Sequence, residues 1–293
     1  MSGASLAHRR RDPVAGDGPE RPFRRERAML PTLFISHGSP MTALMDVPAR
    51  HFLAGLGAQL PRPRAVLVAS AHWETAAPEV NAVAVNDTIH DFYGFPPALY
   101  AMRYPAPGAP DVAMRAVSLL TAAGLPCGVD RARGLDHGAW VPLSLIYPEH
   151  DIPVLQVSVQ SRLGPAHHLA VGRALAPLAA EDVLIVGSGS FTHDLRRFRG
   201  QGVDAPEAPD VVAFSDWFDG ALTGGRTADL LAYRRLAPYA AQQHPTDEHL
   251  LPIYVALGAA MGEADHAPRA ERLHASANYG VLRMDAYAFA PAA

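Results

Sequence analysis

Lysine is absent from this chain of 293 residues, so all 25 basic residues are arginines. The absence excludes a Schiff-base lysine, an anchor for pyridoxal phosphate and the phosphate-binding lysine of a Walker loop. The sequence also lacks a G-x-G-x-x-G loop after a strand and a G-x-S-x-G nucleophile elbow. The stretch "GSGSF" (187–191) is rich in small residues but does not have the spacing of a dinucleotide loop. Dinucleotide cofactors and serine-nucleophile chemistry are therefore poorly supported.

Cysteine and long apolar runs are also scarce. A single cysteine, Cys127, excludes an internal disulfide and is typical of a reducing compartment. No apolar run approaches the roughly 20 residues that span a bilayer. Because 49% of the residues are hydrophobic and 18% are charged, the composition predicts a globular protein with a full core. We expect a cytoplasmic protein with no membrane partner.

Charge is distributed unevenly along the chain. Residues 1–28 contain seven arginines and four acidic residues, whereas the whole chain has a net charge of −4. The rest of the chain is therefore acidic, which argues against nucleic acid as a partner. Residues 1–29 are predicted to be a disordered Arg-rich tail without the apolar core of a secretion signal. We expect one catalytic domain over residues 30–293.

The fold class follows from the order of the apolar segments. Runs typical of buried strands occur at 32–36, 65–70, 80–85, 153–159, 183–187 and 279–284. Helix-like patterns lie between them at 109–124, 164–182, 210–222 and 247–262. Alternating strands and helices predict an α/β fold, here a single three-layer domain with a mostly parallel central sheet. The segment 86–108 is long and rich in proline and aromatics, as functional loops often are.

Histidines follow several of the predicted strands. His37, His72 and His193 each come just after an apolar run, and in open α/β sheets ligand sites form beyond the carboxyl ends of the strands. His137 lies in the glycine-containing stretch "GLDHGAW", and His249 is expected in the first turn of a helix capped by Thr246.

Convergent imidazoles predict a metal site. Neutral imidazole is the commonest protein metal ligand, and three ligands on one face leave positions open for substrate. Such sites suit iron(II) for dioxygen chemistry or zinc for the activation of water. We therefore predict a metal site at the C-terminal ends of the strands.

Six motifs in register carry a family resemblance. They are "SHGSP" (36–40), "LPRPRAVLVASAHWET" (60–75), "TIHDFYGFPPALY" (88–100), "GLDHGAWVPL" (134–143), "SGSFTHDLR" (188–196) and "HPTDEHLLPIYVALGAA" (244–260). Over about residues 30–285 the chain resembles the LigB-type class III extradiol ring-cleavage dioxygenases, in their DOPA 4,5-dioxygenase branch. The resemblance implies an α/β domain, an iron(II) centre that zinc also occupies, and a catechol and O2 as substrates.

The resemblance also implies roles for the five histidines. His37, His72 and His249 match the metal-binding positions, and His193 matches a further ligand or the acid/base. His137 matches a histidine that contacts substrate or oxygen. Relatives that cleave protocatechuate use two histidines and a glutamate, whereas this chain has His249 at the corresponding position. Neighbouring helix residues point about 100° apart, so Glu248 is not expected to share the metal, and an all-histidine set shifts the preference toward zinc.

Other side chains are predicted around the substrate. Aromatic rings supply the apolar walls that a catechol needs, and the predicted substrate-binding residues are Trp73, His90, Phe92 and Tyr93, with Phe95 as a further wall residue. Arg103 or Arg196 is available to pair with a substrate carboxylate.

Two alternative functions stay open at this point. A zinc-dependent hydrolase on the same scaffold would use Asp136, Asp194 or Glu248 as its carboxylate base, and a non-catalytic metal-binding homologue would use the cleft for a partner. The sequence is compatible with a monomer or a small homo-oligomer.

Overall fold

The computed structural model describes residue 1, residues 30–264 and residues 266–290, so the predicted tail lies almost wholly outside the described part. Ten strands are Thr32–Ser36 (β1), Ala65–Glu74 (β2), Glu79–Asn81 (β3), Gly128–Asp130 (β4), Val154–Val159 (β5), Val183–Gly189 (β6), Arg269–His274 (β7), Ala277–Asn278 (β8), Leu282–Arg283 (β9) and Ala286–Ala290 (β10).

Eleven α-helices are found in the same described ranges. They are Pro48–Leu56 (α1), Pro97–Ala101 (α2), Pro110–Ala122 (α3), His137–Ile146 (α4), Gly164–Leu175 (α5), Pro177–Ala180 (α6), Pro209–Thr223 (α7), Thr227–Leu231 (α8), Tyr233–Leu236 (α9), Ala240–Gln243 (α10) and Leu251–Met261 (α11). Short 3₁₀ helices lie at Pro40–Ala43, Gly57–Gln59 and Ser161–Leu163. None of the described helices is long and apolar enough to cross a membrane.

An eight-stranded sheet of order β4-β3-β5-β2-β6-β1-β10-β7 forms the centre of the fold. The four central strands β5, β2, β6 and β1 are parallel, whereas β10 and β7 continue the sheet in antiparallel pairing. A second sheet contains only β8 and β9. The predicted α/β class with a mostly parallel sheet is confirmed.

Helices cover both faces of this sheet. On one face, Leu33, Val66 and Leu184 pack with α1 and α4 residues such as Leu53 and Trp140. On the other face, Leu67 and Ile185 pack against α3, α5, α6 and α11. Because the central strands are buried on both faces, they are almost continuously apolar, which is why they were recognisable in the sequence. The predicted three layers are present.

Several element boundaries differ from the prediction. The predicted strand 65–70 continues to Glu74, so His72 lies within β2 rather than after it. The predicted strand 279–284 is wrong, because residues 279–281 form a turn between β8 and β9 and the sheet strand is β10. The last long helix begins at Leu251 with Pro252 in its first turn. The predicted Thr246 cap is therefore also wrong, and the Thr246 hydroxyl contacts Glu248 instead.

Candidate active site

Five imidazoles meet at the carboxyl edge of the central strands. The ring centroids of His72 and His137 are 3.9 Å apart, and those of His37 and His72, like those of His72 and His249, are 4.9 Å apart. The rings of His193 and His249 stack at 3.4 Å. All five histidines singled out in the sequence thus come together, although they lie up to 212 positions apart along the chain.

Strand register accounts for three of these positions. Ser36 at the end of β1 pairs with Gly189 of β6, so His37 leaves β1 at the level where β6 ends. Ser70 of β2 pairs with Ser188 of β6, and His72 follows two residues later. His193 lies just beyond β6, where its backbone N–H donates to the carbonyl of Gln243. The carboxyl ends of parallel neighbours meet at one edge, as the sequence prediction assumed.

Two glycines in β6 allow the backbone of the segment that carries His249 to pack closely against the strand. A Cβ atom on Gly189 would lie 2.0 Å from the carbonyl oxygen of His249, and one on Gly187 would lie 2.1 Å from that of Pro252. The N–H of Ser190 also donates to the His249 carbonyl, at 2.9 Å. The small residues of "GSGSF" therefore serve close backbone packing, which brings His249 against the end of the strand.

His137 and its neighbour Asp136 are positioned by a buried polar network. Asp136 occupies the N-cap position of α4 without a side-chain capping bond, and its carboxylate accepts hydrogen bonds from Ser70 Oγ at 2.6 Å and from Gln156 Nε2 at 2.8 Å. Arg133 adds a third contact at 3.1 Å. Because these groups belong to β2, β5 and the loop before α4, the start of α4 and with it His137 are tied to the sheet.

In His37, His72 and His249, a polar side chain lies next to the Nδ1 atom of the ring. Nδ1 of His249 lies 2.9 Å from Glu248 Oε1, Nδ1 of His72 lies 3.5 Å from Asp91 Oδ2, and Nδ1 of His37 lies 3.0 Å from Ser188 Oγ. Carboxylates only accept, and the Ser188 hydroxyl gives its proton to the Gly138 carbonyl, so Nδ1 of His249 and Nδ1 of His37 are donors. The Asp91 carboxylate beside His72 favours the same tautomer there. The lone pairs of the three rings therefore lie on Nε2.

Nε2 of His72 faces the Nε2 atoms of both His37 and His249. Nε2 of His72 is 3.0 Å from Nε2 of His37 and 3.3 Å from Nε2 of His249. With their protons on Nδ1, these nitrogens do not hydrogen-bond to one another, and one cation between them would accept all three lone pairs. Nitrogens bound about 2.0–2.1 Å from one ion lie about 2.9–3.4 Å apart, which agrees with both distances. The donor set therefore fits a metal ion.

Burial keeps these imidazoles neutral. Burial, together with neighbouring histidines, holds the pKa of His37 and of His249 well below the usual value of 6.5. Burial likewise lowers the pKa of His72 and of His193 to about 4. Since a metal binds the unprotonated nitrogen, the site is ready to bind an ion near neutral pH.

Asp91 joins two of the rings from the long loop 86–108. Its Oδ1 accepts a hydrogen bond from the backbone N–H of His137 at 3.0 Å and lies 2.9 Å from Nδ1 of the same ring, while Oδ2 faces His72. Burial opposes ionisation, but the contacts with His137 lower the pKa of Asp91 to about 2. The carboxylate is therefore charged and fixes both rings. Asp91 was not singled out from the sequence, although it lies in the quoted motif "TIHDFYGFPPALY".

A cavity of about 340 Å³ opens above the imidazoles. Its walls are apolar, formed by Pro40, Met41, Phe92, Phe95, Leu195, Phe198 and Leu282. Ligand sites are commonly concave and mostly apolar with a few convergent polar groups, and this cavity has that character. Phe92 and Phe95 are the predicted wall residues that line it.

Other predicted substrate contacts lie outside the cavity lining. Trp73 is buried under the guanidinium of Arg133, which is 4.7 Å from the ring centroid, and Tyr93 is 92% exposed. His90 packs on Trp140 and faces the Met102 carbonyl. Arg103 also contacts backbone carbonyls of its own loop, and Arg196 pairs with Asp194 at 2.8 Å.

The carboxylates proposed as hydrolase bases are already engaged. Asp136 is fully buried in its network, Asp194 pairs with Arg196, and Glu248 accepts from His249 Nδ1. Glu248 lies in a turn before α11, so the helical spacing used to separate it from His249 does not apply.

Two groups of side chains each have donor atoms within 4.8 Å of one another. One group is His37, His72 and His137, and the other is His193, Glu248 and His249.

An α/β domain with a histidine-lined centre below an aromatic cavity fits the class of metal-dependent ring-cleaving oxygenases. Residues 31–282 match the family described as the catalytic LigB subunit of aromatic ring-opening dioxygenase, and the chain belongs to this family.

Relatives of known name agree with that assignment. The chain is 47% identical to the 4,5-DOPA dioxygenase extradiol of Beta vulgaris, over 88% of this chain and 96% of the relative. It is 41% identical to that of Mirabilis jalapa (89% and 97% covered) and 40% identical to that of Escherichia coli K12 (80% and 86% covered). The crystal structure of an uncharacterized Escherichia coli K12 protein superposes with a TM-score of 0.73 at 33% identity, covering 89% of this chain and 99% of that one. The predicted class, an extradiol ring-cleavage dioxygenase, is confirmed.

Proposed function

We propose that this protein opens the aromatic ring of a DOPA-like catechol with dioxygen, using iron(II) bound by His37, His72 and His249. The observation that carries the proposal is the convergence of three Nε2 lone pairs at the floor of an aromatic cavity. Iron(II) in such a site supplies open positions for catechol and dioxygen and carries electrons between them. Zinc would occupy the same nitrogens without this redox chemistry.

The substrate ring is held by the cavity walls. Phe92 and Phe95 meet edge to face, with ring centroids 5.3 Å apart, and Phe92 also lies 5.8 Å from His137. A catechol between these rings and the imidazoles is shielded from water on its apolar face, with its two hydroxyls toward the histidines. The walls thus orient the diol edge toward the metal-binding nitrogens.

Two histidines handle protons and charge. His193 is only partly buried, lies on the cavity and has a pKa of about 4 because burial disfavours its charged form, so it is a free base that accepts a catechol hydroxyl proton. Nδ1 of His137 lies 2.9 Å from Asp91 Oδ1, so this carboxylate orients the ring. From this position the ring is placed to donate a hydrogen bond to negative charge that develops on oxygen.

A zinc hydrolase is less well supported by the contacts. Such an enzyme needs a carboxylate that can take a proton from bound water, yet no carboxylate among the described residues lines the cavity, and Asp136, Asp194 and Glu248 all have partners. Location in the cytoplasm and the oligomeric state stay predictions.

The proposal is tested by loading the metal-free protein with iron(II) under anaerobic conditions and adding DOPA and then air. We expect oxygen consumption in step with a yellow ring-fission product, and none from the zinc-loaded protein. Stoichiometric iron without oxygen uptake on DOPA or simple catechols would contradict the proposed function.

A further inference from the structure

Three non-imidazole side chains bring polar atoms to the described lining of the cavity: Ser39, Ser190 and Tyr279. Ser39 Oγ accepts from the backbone N–H of Met41 at 3.2 Å, and Ser190 Oγ donates to the Thr192 carbonyl at 2.7 Å. Among the described residues, the Tyr279 hydroxyl reaches only Met45 Sδ, 4.0 Å away, and thioether sulfur is a weak acceptor. Tyr279 therefore keeps a strong donor and acceptor free for a ligand.

The backbone holds Tyr279 in a costly conformation. Its φ angle is 57°, in the left-handed region that non-glycine residues seldom adopt. The turn is fixed from outside: the N–H of Tyr279 donates to the Val203 carbonyl, and the carbonyl of Gly280 accepts from Ala208 N–H, both at 2.9 Å. Gly280 has φ 65°, and a Cβ there would lie 2.3 Å from the Pro206 carbonyl oxygen.

This turn places the phenol ring of Tyr279 in the cavity lining. The ring centroids of Tyr279 and Phe198 are 5.5 Å apart, and both residues line the cavity together with Leu282 from the same hairpin. Backbone strain that the surroundings maintain is concentrated at functional sites. Two independent observations, the underused hydroxyl and the strained turn, thus point to one residue.

We propose that the Tyr279 hydroxyl binds the polar side chain of the substrate and selects catechols with such a side chain over alkyl catechols. The inference rests on the proposed function. The remaining walls are apolar apart from Ser39 and Ser190, whose hydroxyls each already make a hydrogen bond to the backbone. A polar group on the catechol would otherwise lose its hydrogen bonds to water on binding without gaining a new partner, which weakens binding. An amino-acid substituent, as in DOPA, offers the acceptor and donor atoms that a phenol hydroxyl can bind.

The test compares Tyr279→Phe with the parent protein, both loaded with iron(II), on DOPA and on 4-ethylcatechol. We expect kcat/KM for DOPA to fall about 5- to 10-fold, as loss of one hydrogen bond of about 1 kcal/mol implies, mainly through KM. For 4-ethylcatechol, kcat/KM should stay within about two-fold, because the ring that packs on Phe198 is retained.

A matched control is available in the same protein. Tyr239→Phe removes the same hydroxyl from a side chain that is 54% exposed and outside the cavity lining, and kcat/KM for both catechols should stay unchanged. As a second measurement, dissociation constants of DOPA and 4-ethylcatechol for zinc-loaded Tyr279→Phe should show the same selective loss for DOPA.

The outcomes separate this inference from the proposed function. If the parent opens both catechols and Tyr279→Phe affects them equally or not at all, selection by Tyr279 is refuted and ring opening stands. If the parent opens neither catechol, the proposed function fails and this inference fails with it.

Discussion

Two groups of buried histidines in this molecule look alike by burial but differ in what their nitrogens do. His168 and His244 are fully buried, and burial lowers the pKa of His168 to about 4 and that of His244 to about 3. His37 and His249 at the site are 2% and 5% exposed, and their pKa values are lowered as well. Burial and a low pKa therefore do not by themselves identify a metal site.

The difference lies in the second ring nitrogen. His168 uses both nitrogens within the fold, since Nδ1 donates to the Gly164 carbonyl at 2.7 Å and Nε2 accepts from Gln160 N–H at 3.0 Å. His244 donates from Nε2 to the Phe191 carbonyl, whereas its buried Nδ1 has no hydrogen-bond partner among the described residues. In the site, Nδ1 is satisfied and Nε2 is turned toward other Nε2 atoms. A group of lone pairs that face one another distinguishes a binding site from a structural histidine.

The largest expected effect is on metal retention. We predict that His72→Ala reduces bound metal from about one ion per chain to almost none, because Nε2 of His72 is the atom that contacts both other predicted ligands. Metal analysis after desalting measures this. His168→Ala is the control and should keep its metal despite lower stability. If His72→Ala holds iron as tightly as the parent, the ligand assignment is wrong.

Replacement of His137 should lower kcat without loss of metal, unlike replacement of a metal ligand. We predict that His137→Ala keeps its metal but loses about 10²- to 10³-fold in kcat, since removal of one preorganised donor to developing negative charge typically costs this much. Oxygen-uptake kinetics together with metal content measure the two effects. Parallel loss of metal and activity would show that His137 acts as a ligand instead.

Acid stability should reveal the structural histidines. A histidine with a folded pKa of about 4 binds its proton mainly in the unfolded state, so its contribution to stability is intact above pH 6.5 and is lost as pH falls toward 4. For His168 this amounts to about 2–3 kcal/mol between pH 7 and pH 4.5. Urea unfolding at pH 7 and pH 4.5 measures this, and the free energy of unfolding of His168→Gln should change less between the two pH values than that of the parent protein. An unchanged pH dependence would contradict the buried, neutral state of this ring.

The smallest expected effect concerns the partners of Nδ1. Glu248→Gln keeps an acceptor near His249 but removes the charge that favours donation from Nδ1. We predict roughly ten-fold weaker metal binding, at the low end for loss of such a partner, measured by competition with a chelator. Glu263→Gln, an exposed change outside the site, serves as the control. Unaltered affinity would mean that Glu248 does not tune the ligand.

The strands and the site histidines could be predicted because their signals are local. Continuous apolar runs marked β1, β2, β5 and β6, and the rule that parallel strands share a carboxyl edge placed His37, His72 and His193 together. His249 was expected near the site, although the position of its helix start was not predicted correctly, because Pro252 fits the first turn as well as any nearby alternative.

The cavity walls depended on contacts that the sequence does not display. Tyr93 and Phe92 are adjacent in one loop, yet only Phe92 faces the cavity, since tertiary packing sets the conformation of residues 86–108. Tyr279 and Leu282 were missed because residues 279–284 were interpreted as one strand. The sequence "NYG" at 278–280 carries the signal that could have corrected this, because asparagine and glycine so close together are typical of a turn.

The position of His249 in the site depends on the absence of a Cβ atom at Gly187 and Gly189. Gly187 and Gly189 form no bond to a ligand, yet any larger residue at either position would push the incoming segment outward by more than an ångström. A saturation screen for function should therefore find these two strand positions as intolerant as the histidines, although neither takes part in chemistry.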